Sequence, residues 1–232
     1  SAGPQIGDLP AELQIMESLE RMPSPVRLDA ERREVLRNIA ESSPKFAQMI
    51  AARPWLVEHL RRPSSGDALP DYDGEFGLIE SGGDAAAILA AMRQTWSRLI
   101  LAIAVGDVYR TLEPAECRRR QTMLAEAAIS TAVRFAASDL APPEILALGK
   151  LGSGTLDYDS DLDLMIVYRD GSAGEAYSRL AERFVMLLSS LTRDGNLYRV
   201  DLRLRPYGKN GPNVTTLAAL AEYIETRASI WE

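Results

Sequence analysis

The sequence predicts an α+β fold in which a helical N-terminal region, residues 1–140, precedes a smaller α/β part, residues 141–232. Two observations support this prediction. Before Pro142 the apolar residues recur at the three- and four-residue spacing of amphipathic helices. After Pro142 short apolar runs of strand length take over, separated by polar turns and one longer helical segment. The change of period predicts two structural regions rather than one repeating pattern.

The helical region is expected to hold several short helices followed by two long ones. Asp8 is a candidate cap of the first helix, and Ser43 followed by a proline marks the start of another. Residues 62–84 are rich in Pro, Ser, Gly and Asp and predict a loop. The long helices are predicted at about residues 84–111 and 114–138, packed outside the sheet of the second part.

The second part is expected to contain one sheet and two helices. Apolar runs predict strands at residues 145–149, 162–168 and 197–204. A helix is predicted from about residue 174 to residue 192, and a final helix begins near Thr215 and runs to the last residues. Because no cap signal precedes the end of the chain, we expect this part to be truncated at its C-terminal end.

Composition narrows the classes of function. The formal net charge of -7 argues against a nucleic-acid partner, and no apolar run approaches the roughly 18 residues of a membrane span. The single cysteine, Cys117, excludes an internal disulfide and favours a reducing, cytoplasmic location. With a single histidine, His59, a zinc site or a Ser-His-Asp arrangement is not expected. Catalysis would therefore depend on carboxylates, arginines and Lys150, with a metal where the carboxylates bind one.

Two aspartates lie at alternate positions of the second predicted strand. The pleat sends the side chains of Asp161 and Asp163 to one face, with Cα atoms roughly 6.5 Å apart. Their charges repel unless a cation lies between them, so the pKa of at least one carboxyl is expected to rise without a metal. Mg²⁺, which prefers oxygen ligands, is the natural cation. The alternate residues are expected to face the core: Leu162, Leu164 and Ile166.

A glycine-rich turn precedes this strand. Gly149, Gly152 and Gly154 carry no side chain, so the turn could present its N–H groups to a phosphate. Ser153 adds a hydroxyl, and Lys150 either adds positive charge or is simply solvated. Either a glycine-rich turn or an Asp-x-Asp pair alone is a weak signal. Together, in a strand-turn-strand context, they favour a nucleotide site.

The third predicted strand carries charge on one face. Its alternate residues Arg199, Asp201, Arg203 and Arg205 would share that face, opposite the apolar ones: Val200, Leu202 and Leu204. One interpretation is an amphipathic edge strand with a charged outer surface. The other is a triphosphate and metal site, in which Asp201 is a third metal ligand and Arg203 or Arg205 binds phosphate oxygens.

At these residues the sequence resembles the nucleotidyltransferase superfamily and, more narrowly, the glutamine synthetase adenylyltransferase family. The family pattern Gly-Lys-Leu-Gly-Gly is matched from Gly149, with Ser153 in place of its last glycine. Ser-Asp-x-Asp-Leu is matched at residues 160–164, and Val-Asp-x-Arg-Leu-Arg-Pro-x-Gly at residues 200–208. The likeness is looser over the helical region. It implies a polymerase-β-like fold, a small mixed sheet with helices.

The resemblance implies a metal-dependent nucleotidyltransferase domain that regulates glutamine synthetase. Its catalytic and metal-binding residues would be three aspartates that hold two Mg²⁺ ions: Asp161, Asp163 and Asp201. Phosphate or nucleotide would be bound by six further residues: Lys150, Gly152, Ser153, Ser160, Arg203 and Arg205. The substrates would be ATP or ADP and phosphate. The partners would be glutamine synthetase and a PII-type signalling protein.

The family enzyme has two catalytic halves that act in opposite directions. The N-terminal half resembles a phosphorolase that removes AMP from a tyrosine of glutamine synthetase and yields ADP, and the C-terminal half transfers AMP from ATP to that tyrosine. The glycine motif about 150 residues from the start and the segments around Tyr198 and Gly211 resemble the N-terminal half. We therefore expect AMP removal. The alternatives are the adenylylating half, a different nucleotidyltransferase, and an inert nucleotide-sensing domain.

Overall fold

The computed structural model describes residues 11–22, 28–80, 82–169, 171–191, 195–206, 208 and 211–227. The predicted cap at Asp8 and the last residues of the predicted final helix lie outside these ranges. The chain divides into two compact units, the first formed by Ser1–Asp71 with Gln94–Cys117 and the second by Tyr72–Arg93 with Arg118–Glu232. These units do not coincide with the boundary at residue 140, which rests on a change of secondary structure.

The first unit is helical. It holds α1 (Ala11–Glu20), α2 (Ala30–Ser42), α3 (Pro44–Ala52), a 3-10 helix (Pro54–His59) and the C-terminal part of α5 (Ala85–Val108). The Asp29 side chain caps α2 by accepting the N–H of Arg32 at 2.8 Å. The core of this unit includes four side chains with no exposed surface: Val35, Ile39, Ile50 and Leu56.

The single histidine, His59, is partly buried and packs against an aromatic ring. His59 ends the 3-10 helix, where its ring meets the Trp55 ring edge-on at a centroid distance of 5.7 Å. Burial, and then the nearby charge of Arg98, lowers the pKa of His59, so its neutral form is favoured.

The second unit combines helices with a sheet. Its helices are α4 (Tyr72–Gly77), the greater part of α6 (Pro114–Ala137), the single turn α7 (Gly149–Gly152), α8 (Gly174–Ser189) and α9 (Leu217–Thr226). The loop prediction for residues 62–84 is wrong at α4. There Tyr72 and Phe76, four residues apart, are buried on one face, and their packing outweighs the loop-like composition around them.

A mixed sheet of four strands is described in the second unit: β1 (Glu144–Ala147), β2 (Leu162–Tyr168), β3 (Val200–Asp201) and β4 (Val214–Thr216). Strand β2 is antiparallel to β1 and parallel to both β3 and β4. The helices and this small mixed sheet confirm the predicted α+β class. The bounds predicted for β2 are those observed, because a run that is apolar except for Asp163 matches a strand with five of its seven residues buried.

The core of the second unit includes buried side chains of β2 and of α8. Leu162, Leu164 and Ile166 have no exposed surface, as the alternation along β2 predicts. Helix α8 presents apolar residues at three- and four-residue intervals, and three of them are likewise fully buried: Leu180, Phe184 and Leu188. The helix contacts β3 and β4. Each such side chain contributes about 1.5–3 kcal/mol through burial. The buried face of β2 therefore fixes the position of this strand, which carries Asp163 and follows directly on Asp161.

The third strand is much shorter than predicted. Only Val200 and Asp201 are paired with β2, because the Asp201 carboxylate accepts the backbone N–H of Arg203 at 2.8 Å and turns the chain. The prediction of a strand to residue 204 is therefore wrong. So is the apolar face proposed for Leu204, whose surface is 52% exposed.

The segment after this turn also differs from the prediction. Residues 214–216 form β4, which pairs in parallel with the end of β2. Helix α9 starts at Leu217, and the Thr216 hydroxyl caps it by accepting the N–H of Ala219 at 3.1 Å. The prediction that this helix begins near Thr215 and Thr216 is confirmed, but β4 was not predicted because the strand is too short to show a period.

Helix α5 is long and apolar enough to cross a membrane by length and composition alone, with a window of mean hydropathy 1.3. A single helix of this kind is weak support for a membrane span, since 56% of the window is buried inside the structure and core helices pass the same test. Arg93 of α5 is also buried, and its guanidinium donates to the carbonyl of Ser190. Packing within the protein accounts for much of the apolar surface of α5.

Candidate functional site

Two of the predicted catalytic aspartates lie opposite each other in the sheet. The register of β2 and β3 pairs Asp163 with Asp201 and Leu162 with Val200. Parallel neighbours lie about 4.8 Å apart, and paired residues point to the same face. The N–H of Leu162 donates to the carbonyl of Arg199 at 2.8 Å, and the Arg199 side chain donates to the Asp161 carboxylate. Asp161, immediately before β2, therefore lies beside Arg199.

The charges of these carboxylates act on one another. The pKa of Asp163 is raised, first by burial and then by the negative charges of Asp201 and Asp161, while Arg203 offsets part of the rise. This is the rise that was expected for at least one carboxyl. The Asp201 side chain is 13% exposed and the Asp161 side chain 39% exposed, so solvent reaches the group mainly from the Asp161 side. The site is thus a partly buried concentration of negative charge.

Arginines provide the cations nearest to two of these aspartates. The Nε of Arg199 donates to Oδ1 of Asp161 at 2.5 Å. The Nε of Arg203 donates to both carboxylate oxygens of Asp201, at 2.9 and 2.7 Å, and a second guanidinium nitrogen donates to Oδ2. Within the residues that the structure describes, no group of three or more His, Cys, Asp or Glu side chains is arranged to hold a metal ion. The oxygen ligands are near one another, but two of the three carboxylates are bound to guanidinium groups.

The backbone of the glycine turn packs against Asp163. Gly149 has a φ of +54°, and a Cβ at this position would lie 2.2 Å from Oδ2 of Asp163. A Cβ on Gly152 would lie 2.5 Å from the carbonyl oxygen of Ala147, the last residue of β1. Both positions require glycine for close approach of the turn to the two strands. Gly152, predicted to bind phosphate, thus has a packing role in this structure.

The backbone N–H groups at the end of this turn are already used. Those of Gly152, Ser153 and Gly154 donate within the turn, to the carbonyls of Leu148, Gly149 and Leu151, at 3.0–3.1 Å. In this arrangement they do not point at a phosphate, in contrast to the prediction from the glycine-rich sequence. The exposed hydroxyl of Ser153, 2.7 Å from that of Thr155, is the group that this part of the turn offers to a ligand.

Lys150 and Ser160 are brought together by an aspartate that the sequence prediction did not include. The Nζ of Lys150 lies 2.8 Å from Oδ2 of Asp157, and the Ser160 hydroxyl donates to Oδ1 at 2.5 Å. These hydrogen bonds, that of Lys150 first, lower the pKa of Asp157. The Asp-x-x-Ser spacing is typical of a turn closed by its own side chains and is the signal that could have identified Asp157.

Arg203 and Arg205 have different surroundings. The Nε and one terminal nitrogen of Arg205 donate to the carbonyl of Gly211, both at 3.2 Å, and the other terminal nitrogen donates to the carbonyl of Leu202. Arg205 therefore links residues of the loop after β3, whereas the Arg203 side chain donates to the Asp201 carboxylate. The prediction that the two share a strand face is wrong because the strand ends at Asp201.

A comparison with family models identifies the relationship. The model described as glutamate-ammonia ligase adenylyltransferase matches residues 33–232, which is most of the chain and includes the aspartates and the glycine turn. The chain belongs to this family. The resemblance inferred from the three motifs is thereby confirmed, and it extends well into the helical region that the motifs do not cover.

Relatives in this family bear names that cover both directions of the reaction. A bifunctional glutamine synthetase adenylyltransferase/adenylyl-removing enzyme from Xanthobacter autotrophicus is 34% identical over 98% of this chain and 25% of its own length. Proteins of the same name from Aromatoleum aromaticum and Burkholderia mallei are 30% and 32% identical over 86% and 85% of this chain, and over 24% of their own lengths. The chain thus spans about a quarter of the length of these relatives.

Proposed function

We propose that this chain is a metal-dependent nucleotidyltransferase domain that removes AMP from the adenylylated tyrosine of glutamine synthetase by phosphorolysis. The observation that supports this proposal most directly is the pairing of Asp163 with Asp201, next to Asp161, on strands held against the Gly149 turn. Membership of the adenylyltransferase family supplies the substrate, since the relatives are named for glutamine synthetase. The names of those relatives include the adenylyl-removing activity.

The donor set suits magnesium. Asp161, Asp163 and Asp201 would supply carboxylate oxygens, the ligands that Mg²⁺ prefers. Burial and then the negative charges of its neighbours raise the pKa of Asp163, and a cation would compensate that charge. We propose that these three residues hold two Mg²⁺ ions. When bound, the ions would neutralise charge on the phosphoryl group that is transferred.

The reaction in the direction of removal exchanges one oxygen for another at phosphorus. An oxygen of inorganic phosphate forms a bond to the phosphorus of the tyrosine-linked AMP. The bond from that phosphorus to the tyrosine oxygen breaks, the tyrosine oxygen takes up a proton, and ADP is released. Arg203 and Arg199 lie beside the aspartates and are suited to hold the attacking anion. The Ser153 hydroxyl, and Lys150 and Ser160 across Asp157, are further candidates for phosphate contacts.

Adenylylation is the alternative, and the bifunctional names of the relatives include it as well. In that direction the tyrosine oxygen attacks the α-phosphorus of ATP and pyrophosphate leaves, with the same carboxylates in use. Removal of AMP needs a separate inorganic anion at the reacting phosphorus. The two guanidinium groups beside the carboxylates could bind that anion, so they favour removal over adenylylation.

We also propose that the protein is cytoplasmic and that a PII-type signalling protein is a partner.

Two parallel assays test the direction. One contains adenylylated glutamine synthetase, Mg²⁺ and inorganic phosphate, and the other contains unmodified glutamine synthetase, Mg²⁺ and ATP. We expect ADP in the first assay and no AMP incorporation in the second. The variant Asp163→Asn should be inactive, whereas Asp139→Asn, which removes a carboxylate from an exposed position, should behave as the wild type. Incorporation of AMP in the second assay with no ADP in the first would establish the opposite direction.

A further inference from the structure

Two of the proposed metal ligands are occupied by the protein's own cations. We propose that Arg199 and Arg203 are exchangeable counter-ions: they hold Asp161 and Asp201 while no metal is bound, and they turn to the phosphate anion when a metal takes those carboxylates. This inference rests on the proposed function, because it assumes that the three aspartates bind a divalent cation. It adds a coupling between metal binding and anion binding.

The contacts of Arg203 compete directly with a metal. Its guanidinium reaches both carboxylate oxygens of Asp201, and its backbone N–H also donates to Oδ1 at 2.8 Å. A forked arginine–carboxylate pair occupies the lone pairs that a metal would need. Asp201 can therefore ligate a metal fully only after the guanidinium has moved.

Arg199 likewise engages a carboxylate oxygen of Asp161 that a metal would need. Its Nε donates to Oδ1 of Asp161, and a terminal nitrogen donates to the carbonyl of Asp159 at 3.1 Å. With both arginines in place, the described carboxylates are not arranged as a metal site. Each of the two ion pairs thus engages a carboxylate that a metal would need.

Exposure and charge favour an exchange. The side chains of Arg199 and Arg203 are 69% and 61% exposed, so each can swing away without disturbing the core. The three carboxylates and two guanidinium groups carry one net negative charge, and a divalent cation makes the group net positive. Binding of the metal thus releases two anion-binding groups and changes the sign of the local charge, both of which favour phosphate.

Measuring the affinity for a divalent cation tests whether each arginine competes with the metal for its carboxylate, and this measurement does not depend on catalytic activity. Mn²⁺ binding to the 232-residue chain would be followed by electron paramagnetic resonance, which detects the free aqueous ion. Arg199→Gln and Arg203→Gln should each bind Mn²⁺ about three- to tenfold more tightly, the change expected for one charge a few ångströms away at an exposed site. Arg203→Lys, which keeps the charge but loses the fork, should fall between wild type and Arg203→Gln.

A matched control is available in α8. Arg179 forms an ion pair with Glu175 on an exposed helix surface, so Arg179→Gln removes the same charge from a similar pair outside the aspartate group. Its Mn²⁺ affinity should equal that of the wild type. Circular dichroism would check that all variants retain the wild-type fold.

Phosphate binding tests the second half of the exchange. Titration calorimetry with inorganic phosphate should show several-fold tighter binding to the wild type in Mg²⁺ than in chelator. That gain should be lost in Arg203→Gln and kept in Arg179→Gln. If the wild type binds Mn²⁺ and catalyses transfer, but neither arginine variant binds Mn²⁺ more tightly, the exchange is wrong and the proposed function stands. If the wild type binds no Mn²⁺ and has no activity, both are wrong.

Discussion

Asp163 combines the features expected of a catalytic carboxylate at a cost to the stability of the fold. It lies opposite Asp201, it is partly buried, and its pKa is raised by burial and by its acidic neighbours. A carboxyl with a raised pKa in the folded state stabilises the protein below its ordinary pKa, and this contribution is lost as the pH rises through the raised value. At neutral pH the Asp163 charge therefore opposes folding when no metal is bound.

The variant Asp163→Asn should separate stability from activity. In chelator at neutral pH, we expect it to unfold at a higher temperature than the wild type, because burial of a charged carboxylate and its repulsion from Asp201 and Asp161 are removed. The difference should disappear below the ordinary carboxyl pKa, where Asp163 is protonated in both states. Transfer activity with Mg²⁺ should fall by about 10²-fold or more. A lower melting temperature at neutral pH would show that Asp163 is stabilised by its surroundings.

Gly149 and Gly154 offer a matched pair of substitutions within the same turn. Both have positive φ values, +54° and +70°, so alanine at either position should cost roughly 1–2 kcal/mol of stability. Only at Gly149 would the added Cβ meet the Asp163 carboxylate, whereas nothing lies within 4 Å at Gly154. We expect Gly149→Ala to lose transfer activity and Gly154→Ala to keep most of it. Equal losses in both would mean that backbone strain, and not the position of Asp163, controls activity.

At the scale of secondary-structure elements, the loop after β3 is organised by one arginine. Arg205 bonds to the carbonyls of Leu202 and Gly211, and a Cβ on Gly211 would lie 2.1 Å from the carbonyl oxygen of Pro206, so the two ends of the loop are in close contact. This loop follows directly from Asp201. Its order therefore bears on the position of the third carboxylate.

Removal of this brace should destabilise the protein locally. Arg205→Gln is expected to lose about 1.5–3 kcal/mol in urea unfolding, the range for hydrogen bonds to a charged group, and to speed amide exchange in the described residues of the loop. Arg203→Gln, which leaves the brace in place, should leave that exchange near the wild-type rate. Fast exchange in both variants would indicate that the Asp201 turn, and not Arg205, holds the loop.

How well each element could be predicted depends on which interactions form it. Strand β2 is predictable because six of its seven residues are apolar or aromatic and five of the seven are buried. Strand β3 is not, because a local hydrogen bond from the Arg203 N–H to Asp201 competes with the β ladder, and alternation of residue types carries no sign of that competition. Helix α4 and strand β4 are too short for a period to show, and burial of a few side chains decides them.

At the scale of the whole molecule, the long helices connect the two compact units through the chain itself. Helices α5 and α6 each contribute residues to both units. Because helix formation is cooperative, loss of one unit should unwind helical turns that belong to the other. We expect a single unfolding transition, with equal calorimetric and van't Hoff enthalpies and coincident loss of Trp fluorescence and far-ultraviolet dichroism. Two resolved transitions would show that the units unfold independently.

The sequence by itself determined the fold class and the family, because these depend on residue type and spacing along short stretches of chain. It also predicts the three aspartates as the site, and that stays a prediction. The tertiary structure alone decided which charged groups meet. It placed Arg203 on Asp201 and Arg205 in the loop, joined Lys150 to Ser160 through Asp157, and packed Gly149 on Asp163. These contacts depend on where a strand stops and how a turn closes, and both are set by hydrogen bonds and close packing that the order of residues does not display.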